Sequence, residues 1–291
     1  SAFLLNRSSD LLVLEKEMSM AGQTATTAEE KRAAKAEAIS ATLDNVKGMP
    51  MFNLLRNLRN ILMYTPERVA DAIEQLTTKE KIINSRLLPF RFATAYSEIE
   101  KMSWVNVSPS TSIAFESDKK TMKIDRYEFD TLKEKVLEGI ETALEYSCEN
   151  IPTLEGNVAI LVDDSGSMRG DEGGLSRVSA FSETNTSMIG HLFATMLAWK
   201  QEDVYIGLFG DRLIPIDVKR DMKMLDFNRC LYMEGSKCGP ATEAGIYEFL
   251  RNCVREKKKV DNVIVFSDCQ IGSGASTAWY GNDYSEHSAG F

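Results

Sequence analysis

The sequence predicts an α + α/β protein in which a helical segment, residues 1–155, precedes a sheet domain, residues 156–291. Apolar residues recur at helical spacing through most of the first segment. Two apolar runs rich in β-branched residues, 157–162 and 262–266, are typical of buried parallel strands. Because helical patterns separate these two runs, we expect a doubly wound, mainly parallel sheet.

The composition indicates a globular protein of one large or two medium domains. The 291 residues are 43% hydrophobic and contain no apolar run of membrane-spanning length, so we expect no membrane partner. Five scattered cysteines without a C-x-x-C pair favour free thiols in a reducing cytoplasm over disulfides or zinc. The net charge of −9 opposes phosphate, so contact with nucleic acid requires a local basic patch.

The first segment is predicted to contain short helices joined by short turns, which is typical of stacked helix pairs as in an α-solenoid. Thr65 is expected to cap the helix that begins at Pro66, and residues 104–124 interrupt the helical pattern. The predicted helices lie, in chain order, within 1–47, at 51–62, at 66–76, from 78 through Leu88, at 89–96 and at 127–148. Their expected core positions include Leu54, Leu55, Leu58, Ile61, Leu62, Leu132, Val136, Ile140, Ala143 and Leu144.

In the sheet domain, alternating apolar runs and helical patterns predict the remaining elements. His191 lies in an apolar helical stretch, so we expect it to be packed rather than catalytic. Lys257, Lys258 and Lys259 close a helix, where cations interact favourably with the negative helix end. The predicted strands are 157–163, 204–209, 213–218 as a hairpin partner of the second, and 262–268, and the predicted helices are 179–200 and 241–257.

Hard oxygen ligands follow the first strand of the sheet domain. Asp163 ends this strand, and the hydroxyls of Ser165 and Ser167 come two and four positions later. Alternate residues in a loop leaving a strand turn their side chains to the same side, so the three groups are expected to share a small volume. Such a set suits Mg²⁺ or another divalent cation. Asp268, at the end of another strand, and Thr242, in a loop before a helix, are expected at the same edge of the sheet.

Two other interpretations of this motif remain open. In one, Ser165 or Ser167 caps the following helix, and Asp163 interacts with the positive end of that helix. In the other, Asp163 is the nucleophile of a phosphotransferase. Enzymes that resemble haloacid dehalogenases carry a second Asp two residues after the first, where this chain has Ser165.

The order D-x-S-x-S, loop Thr and strand-end Asp resembles the metal-ion-dependent adhesion site of von Willebrand factor A domains. The resemblance implies direct Mg²⁺ ligation by Ser165, Ser167 and Thr242, with Asp163 and Asp268 binding directly or through water. It implies that an acidic group of a ligand completes the metal shell. A complete A domain has further strands after the position of Asp268, so we expect a sheet that lacks its last strands.

Two helical phrases, MFNLLRNLRNIL and SRLLPFRFATAY, resemble the C-terminal part of the TROVE module of the Ro ribonucleoprotein family. The junction ALEYSCENIPTLEGNVAILVDDSGSM also resembles this family, in which HEAT-like helical repeats precede a von Willebrand A domain. The resemblance implies binding of small structured non-coding RNA and of misfolded RNA 3′ ends. The candidate RNA-binding residues in the two phrases are Arg56, Arg59, Arg86 and Arg91; their alternative role is to pair with acids inside the helix stack.

Taken together, these features predict a non-catalytic RNA-binding protein with a Mg²⁺ adhesion site in its A domain. The alternative is a metal-dependent protein-interaction module, or a structural assembly subunit, that binds an acidic residue of a partner. A metal-dependent hydrolase would need a positioned base beside the metal, and the sequence offers no convincing one.

Overall fold

The computed structural model describes residues 28–44, 48–104, 124–170, 185–239 and 243–269. The chain divides into two compact units between Asn150 and Ile151. The first described unit is helical, and the second combines helices with one four-stranded sheet. None of the described helices has the length and apolar character needed to cross a membrane.

Six α-helices and two 3-10 turns make up the described part of the helical unit. They are α1 (Ala28–Leu43), α2 (Met51–Tyr64), a 3-10 turn (Pro66–Arg68), α3 (Val69–Thr77), α4 (Lys79–Ser85), α5 (Pro89–Glu100), α6 (Arg126–Ser147) and a second 3-10 turn (Cys148–Asn150). Helix α6 packs against α3, α4 and α5, while α2 packs against α1, α3 and α5.

The helical spacing of apolar residues correctly identifies the core of this unit. In α2 the predicted apolar positions are all buried, and in α6 all are buried except Leu132, which is half-buried. Asp125 precedes α6 and its carboxylate accepts a hydrogen bond from the Glu128 N–H at 2.8 Å, which satisfies one free donor of the first turn. Local capping and tertiary burial therefore both fix the start of α6.

Two predicted boundaries in the helical unit are wrong. Thr65 does not cap the next helix, because its hydroxyl donates to the Ile61 carbonyl of α2 at 3.3 Å and a 3-10 turn follows. Helix α4 ends at Ser85 rather than continuing through Leu88. Arg86 adopts a left-handed conformation, with φ of 54°, and Leu88 is extended because it precedes Pro89.

The second unit is built around a four-stranded sheet. Its elements are β1 (Val158–Asp163), α7 (Gly166–Arg169), α8 (Thr186–Lys200), β2 (Val204–Phe209), β3 (Leu213–Ile216), α9 (Met224–Gly235), α10 (Glu243–Glu256) and β4 (Asn262–Phe266). The strand order is β3-β2-β1-β4. Strand β1 is parallel to both β2 and β4, and β3 is antiparallel to β2, so the predicted mainly parallel sheet with a hairpin is confirmed.

Helices cover both faces of this sheet. On one face, β1 residues Val158, Ile160 and Val162 pack with apolar residues of α8 and α9. On the other face, Ala159 and Leu161 pack with Phe249 of α10 and with residues of β2 and β3. Strand β1 is therefore buried on both sides, which explains its continuous apolar sequence.

Two of the three lysines after α10 have structural partners. Lys259 forms an ion pair with Asp261 at 2.7 Å, and the Lys258 ammonium lies 4.5 Å from the centre of the Tyr205 ring. Lys257 has a φ of 51° at the point where α10 ends. These contacts agree with the prediction that the lysines close a helix.

Several predictions fall outside the described residues. They concern the helical pattern of residues 1–27, most of the segment 104–124, the first turns of the helix predicted at 179–200, and the loop that carries Thr242. Helix α9 was not predicted from the sequence. Its Met224, Phe227 and Leu231 are buried at helical spacing, so a periodicity signal was present.

Candidate functional site

Asp163 lies at the end of the central strand, between β2 and β4. Its side chain is fully buried. The Ser267 hydroxyl, just beyond β4, donates to Asp163 Oδ2 at 2.7 Å, and the Ser165 N–H donates to Oδ1 at 2.9 Å. Parallel pairing of β1 with β4 brings Ser267 to this carboxylate across 104 positions of sequence. Topology therefore assembles the site, as expected for strand ends in a parallel sheet.

The hydroxyls of Ser165 and Ser167 lie together at the same edge. Their oxygens are 3.3 Å apart, with Ser165 buried and Ser167 half-buried. Ser165 occupies the N-cap position of α7, yet its side chain makes no capping hydrogen bond. The helix-cap interpretation of Ser165 is therefore wrong, because its hydroxyl lies against Ser167 instead. The two hydroxyls lie close together, as their spacing predicts, and their role as metal ligands stays a prediction.

The electrostatics around Asp163 favour a bound cation. Burial raises the pKa of the Asp163 carboxyl above its ordinary value, and the negative charge of Asp268 raises it further. Asp268 is half-buried just beyond β4. A divalent cation would offset both effects, since it supplies the positive charge that a buried carboxylate lacks.

The donor set fits a hard cation that takes oxygen ligands. Asp163, Ser165, Ser167 and Asp268 offer carboxylate and hydroxyl oxygens, while Thr242 lies in the undescribed loop. Within the described ranges, no group of three or more His, Cys, Asp or Glu residues is placed to hold a metal ion. The hydroxyl and carboxylate oxygens at the end of β1 differ from the thiolate and imidazole ligands typical of zinc sites.

Asp164 is a site residue that the sequence analysis did not identify. It is 1% exposed, and its Oδ1 accepts hydrogen bonds from Arg169 at 2.8 Å and from Ser187 at 2.6 Å. His191 is fully buried beside it, with Nε2 2.9 Å from Asp164 Oδ2. His191 is thus packed, as expected. The sequence did contain a signal for the role of Asp164, since it is a second acid directly after a buried strand. A charge buried at that place needs a buried partner.

Asp211, in the turn between β2 and β3, binds the backbone just before the loop of Thr242. Its Oδ1 accepts from the Gly239 N–H at 2.6 Å, and a methyl group added at Gly239 would collide with the carboxylate. The Arg212 guanidinium, which forms an ion pair with Asp211 at 2.9 Å, lowers the pKa of Asp211. Burial raises the pKa of Asp211 and so opposes the effect of Arg212, while the hydrogen bond from the Gly239 N–H lowers the pKa further.

The four candidate arginines of the helical unit are all exposed. Arg56 of α2 and Arg91 of α5 both lie over the ring of Phe52, with distances of 5.8 Å and 5.4 Å from guanidinium carbon to ring centre. Arg91 also lies 4.8 Å from the centre of the Phe90 ring. Arg59 points to solvent from α2, and Arg86 follows α4. Packing of α2 against α5 thus brings two of the four together.

All four arginines lie in a part of the sequence that matches a known domain family. Residues 23–136 match the TROVE domain. This TROVE segment lies within the helical unit and contains Arg56, Arg59, Arg86 and Arg91. The metal-site candidates lie outside it, in the sheet unit.

The fold of the chain is similar to the crystal structure of the Ro (RSR) protein of Deinococcus radiodurans, with a TM-score of 0.51 over 97% of this chain. The two sequences are 15% identical, so the likeness is one of fold. This chain spans 54% of the length of that protein. No curated protein sequence matches the chain.

Proposed function

We propose that this protein binds RNA through its TROVE segment and does no chemistry on it, as the resemblance to the Ro family implies. The expected ligands are small structured non-coding RNA and misfolded RNA with a free 3′ end. The observation that carries the proposal is the group formed by Phe52, Arg56 and Arg91 on neighbouring helices, within the TROVE segment.

This group, which we call the arginine–phenylalanine patch, suits a nucleic acid. A guanidinium binds phosphate with two parallel hydrogen bonds, and its flat face stacks on a base or an aromatic ring. Phe52 is half-buried and holds both guanidinium groups at one place on the surface. Such a local cluster of positive charge is what a chain of net charge −9 needs to attract phosphate.

We expect Arg91→Ala to weaken RNA binding roughly tenfold, because a charge-assisted contact to phosphate is lost. The slope of log affinity against log salt should fall by about one for each phosphate contact removed. The measurement is a salt titration of binding to RNA that co-purifies with the chain, and to a small hairpin with a single-stranded 3′ tail. Arg91→Lys keeps the charge but loses the stacking face, so it separates the two contributions.

The matched control is Arg126→Ala. Arg126 is exposed on α6 and pairs only loosely with Asp130, at 3.6 Å. This variant should bind RNA with unchanged affinity and salt slope. Equal losses in the Arg91 and Arg126 variants would mean that binding follows overall charge, and the arginine–phenylalanine patch would not be the contact site.

We also propose that the sheet unit holds Mg²⁺, or another divalent cation, at the edge where β1 ends. Ser165, Ser167 and Thr242 would bind it directly, with Asp163 and Asp268 binding directly or through water. When bound, the cation supplies a positive charge and an open position for an oxygen ligand. The buried carboxylate and the facing hydroxyls support this proposal.

Asp163→Ala should abolish Mg²⁺ binding and leave most of the RNA affinity intact, because the two proposed sites lie in different units. Mg²⁺ binding is measured by calorimetry and RNA affinity by the titration described above. Circular dichroism checks that the variant stays folded. Equal loss of both affinities in a folded variant would contradict the assignment of the two ligands to separate units.

A second candidate function is a metal-dependent protein-interaction module, or an assembly subunit, whose cation binds an acidic residue of a partner. The carboxylate and hydroxyl oxygens at the end of β1 favour this second function as well. A chain that binds Mg²⁺ and an acidic peptide, but no RNA even at low salt, would support this alternative. We also propose a reducing cytoplasmic location, because none of the five cysteines forms a disulfide in the described parts of the chain.

A further inference from the structure

We propose that Asp164 is the positioning residue of the metal-binding turn, and that a buried ionic network anchors this turn to α8 and α9. The inference rests on the metal site proposed above, but the anchoring is a property of the chain without metal. The network is defined as the side chains of Asp164, Arg169, Ser187 and His191.

The backbone directs the two neighbouring acids to opposite sides. The Asp164 N–H donates to the Phe209 carbonyl at 2.8 Å, so the β1–β2 pairing continues one residue beyond the strand. Successive side chains of an extended chain alternate. Asp163 therefore faces the hydroxyls of Ser165 and Ser167, while Asp164 faces the helices.

The Asp164 carboxylate accepts two hydrogen bonds and lies beside a buried histidine. Arg169, at the end of the turn, and Ser187, in the first turn of α8, both donate to Oδ1. His191 Nδ1 donates to the Ser187 carbonyl at 2.7 Å, which places its Nε2 beside Oδ2. The N-terminus of α8 also favours a negative charge at this position. The contact of Nε2 with Oδ2 is close but is not a well-directed hydrogen bond.

The network continues into α9. The Arg169 guanidinium donates to the Tyr232 carbonyl at 3.1 Å and lies 4.1 Å from the centre of the Tyr232 ring. Asn185 donates both to the Arg169 carbonyl and to the Tyr232 hydroxyl, each at 3.0 Å. A methyl group added at Gly235 would overlap the Asp164 carboxylate, so α9 closes directly over it.

These contacts fix the two ends of the turn that carries the metal-site hydroxyls. Asp164 precedes Ser165, and its partner Arg169 comes two residues after Ser167. With both ends held, Ser165 and Ser167 have little freedom to move relative to Asp163. Groups that orient metal ligands in this way typically change metal affinity by about 10- to 100-fold when removed.

The test is Asp164→Asn, which keeps the shape of the side chain and removes its charge. Hydrogen exchange of the metal-free protein reports the anchoring, and Mg²⁺ titration by calorimetry reports the consequence. We expect amide exchange at residues 165–169 to become at least about tenfold faster, and Mg²⁺ to bind about 10- to 100-fold more weakly. Asp226→Asn is the control, because Asp226 forms an exposed ion pair with Arg229 on α9, and it should change neither result.

Unchanged exchange at residues 165–169 in a folded variant overturns the inference, whatever happens to the metal. Faster exchange with unchanged Mg²⁺ affinity overturns the positioning role. If the unmodified chain does not bind Mg²⁺, the proposed metal site fails, and exchange alone still decides whether Asp164 anchors the turn. Should Asp164→Asn not fold, Ser187→Ala and Arg169→Lys replace it, with Arg169→Lys expected to retain more affinity than Arg169→Ala.

Discussion

At the scale of single residues, two adjacent acids show how the surroundings decide what a carboxylate does. Asp163 and Asp164 are both buried at the end of β1. Asp164 is neutralised by Arg169, whereas Asp163 has hydrogen bonds but no cation beside it among the described residues. The raised pKa of Asp163 follows from this difference. Asp163, which has no positive charge beside it in the described part of the chain, is the acid suited to a metal. Asp164, which is paired with Arg169, is suited to hold the turn.

Asp211 gives a prediction about pH. Arg212 lowers its pKa in the folded chain, so the ionised form stabilises the fold above the unfolded-state pKa of about 3.9. This contribution is lost as pH falls through the lower folded-state pKa. Asp211→Asn should therefore lower the free energy of unfolding at neutral pH, by no more than about 1 kcal/mol because Arg212 is exposed and solvent screens the pair.

Denaturant unfolding at pH 7 and at pH 3 or below measures this effect. The difference between the unmodified chain and the Asp211 variant should shrink at the lower pH. Asp217→Asn is a useful control, since Asp217 is an exposed aspartate just after β3, whereas Asp211 lies just before β3. A difference that persists undiminished in acid would mean that the Asp211 charge does not stabilise the loop.

At the scale of elements, Asn185 joins the start of α8 to its surroundings. Its side-chain oxygen accepts from the Met188 N–H at 2.8 Å, which is an N-cap, and its amide donates to Arg169 and Tyr232. Asn185→Ala should lower the free energy of unfolding by about 2 kcal/mol, at the upper end for loss of a cap. Asp125→Ala removes a single capping bond from α6, so it should cost about 1 kcal/mol.

Chemical denaturation of both variants makes this comparison. Equal costs would show that the two extra bonds of Asn185 contribute nothing to stability. The Asp125 variant lies in the helical unit and the Asn185 variant in the sheet unit, so the signal used must report on each unit.

Elements with a strong local pattern were the ones that the sequence could predict. Strand β2 was predicted at its observed bounds, and α2 and α6 within two residues, because apolar periodicity determines which residues are buried. The end of α4 was missed because a left-handed arginine terminates it, and arginine gives no sequence signal for that conformation. The closeness of the Ser165 and Ser167 hydroxyls was predicted from their spacing. The residues around Asp164 come from α7, α8 and α9 and depend on tertiary packing, so they could not be predicted.

At the scale of the whole molecule, the two proposed ligands should protect different parts of the chain. Mg²⁺ at 100 times its dissociation constant stabilises the folded form that binds it by about 2.7 kcal/mol. Hydrogen exchange should therefore slow in the sheet unit with Mg²⁺, and in α2 and α5 with RNA. Protection of β1 by RNA, with none in α2 or α5, would contradict the assignment of RNA to the TROVE segment.

The place of β1 in the sheet has a consequence for synthesis. It lies between β2 and β4, and Ser267 bonds to Asp163 across 104 positions of sequence. A ribosome adding roughly 5–20 residues per second makes β4 roughly 5–20 s after β1. During that interval the edge of β1 that will pair with β4 has no partner in the nascent chain, and an unpaired strand edge can pair with other chains. We therefore expect chaperones to bind the nascent chain, and the proposed metal site to form only after translation has passed β4.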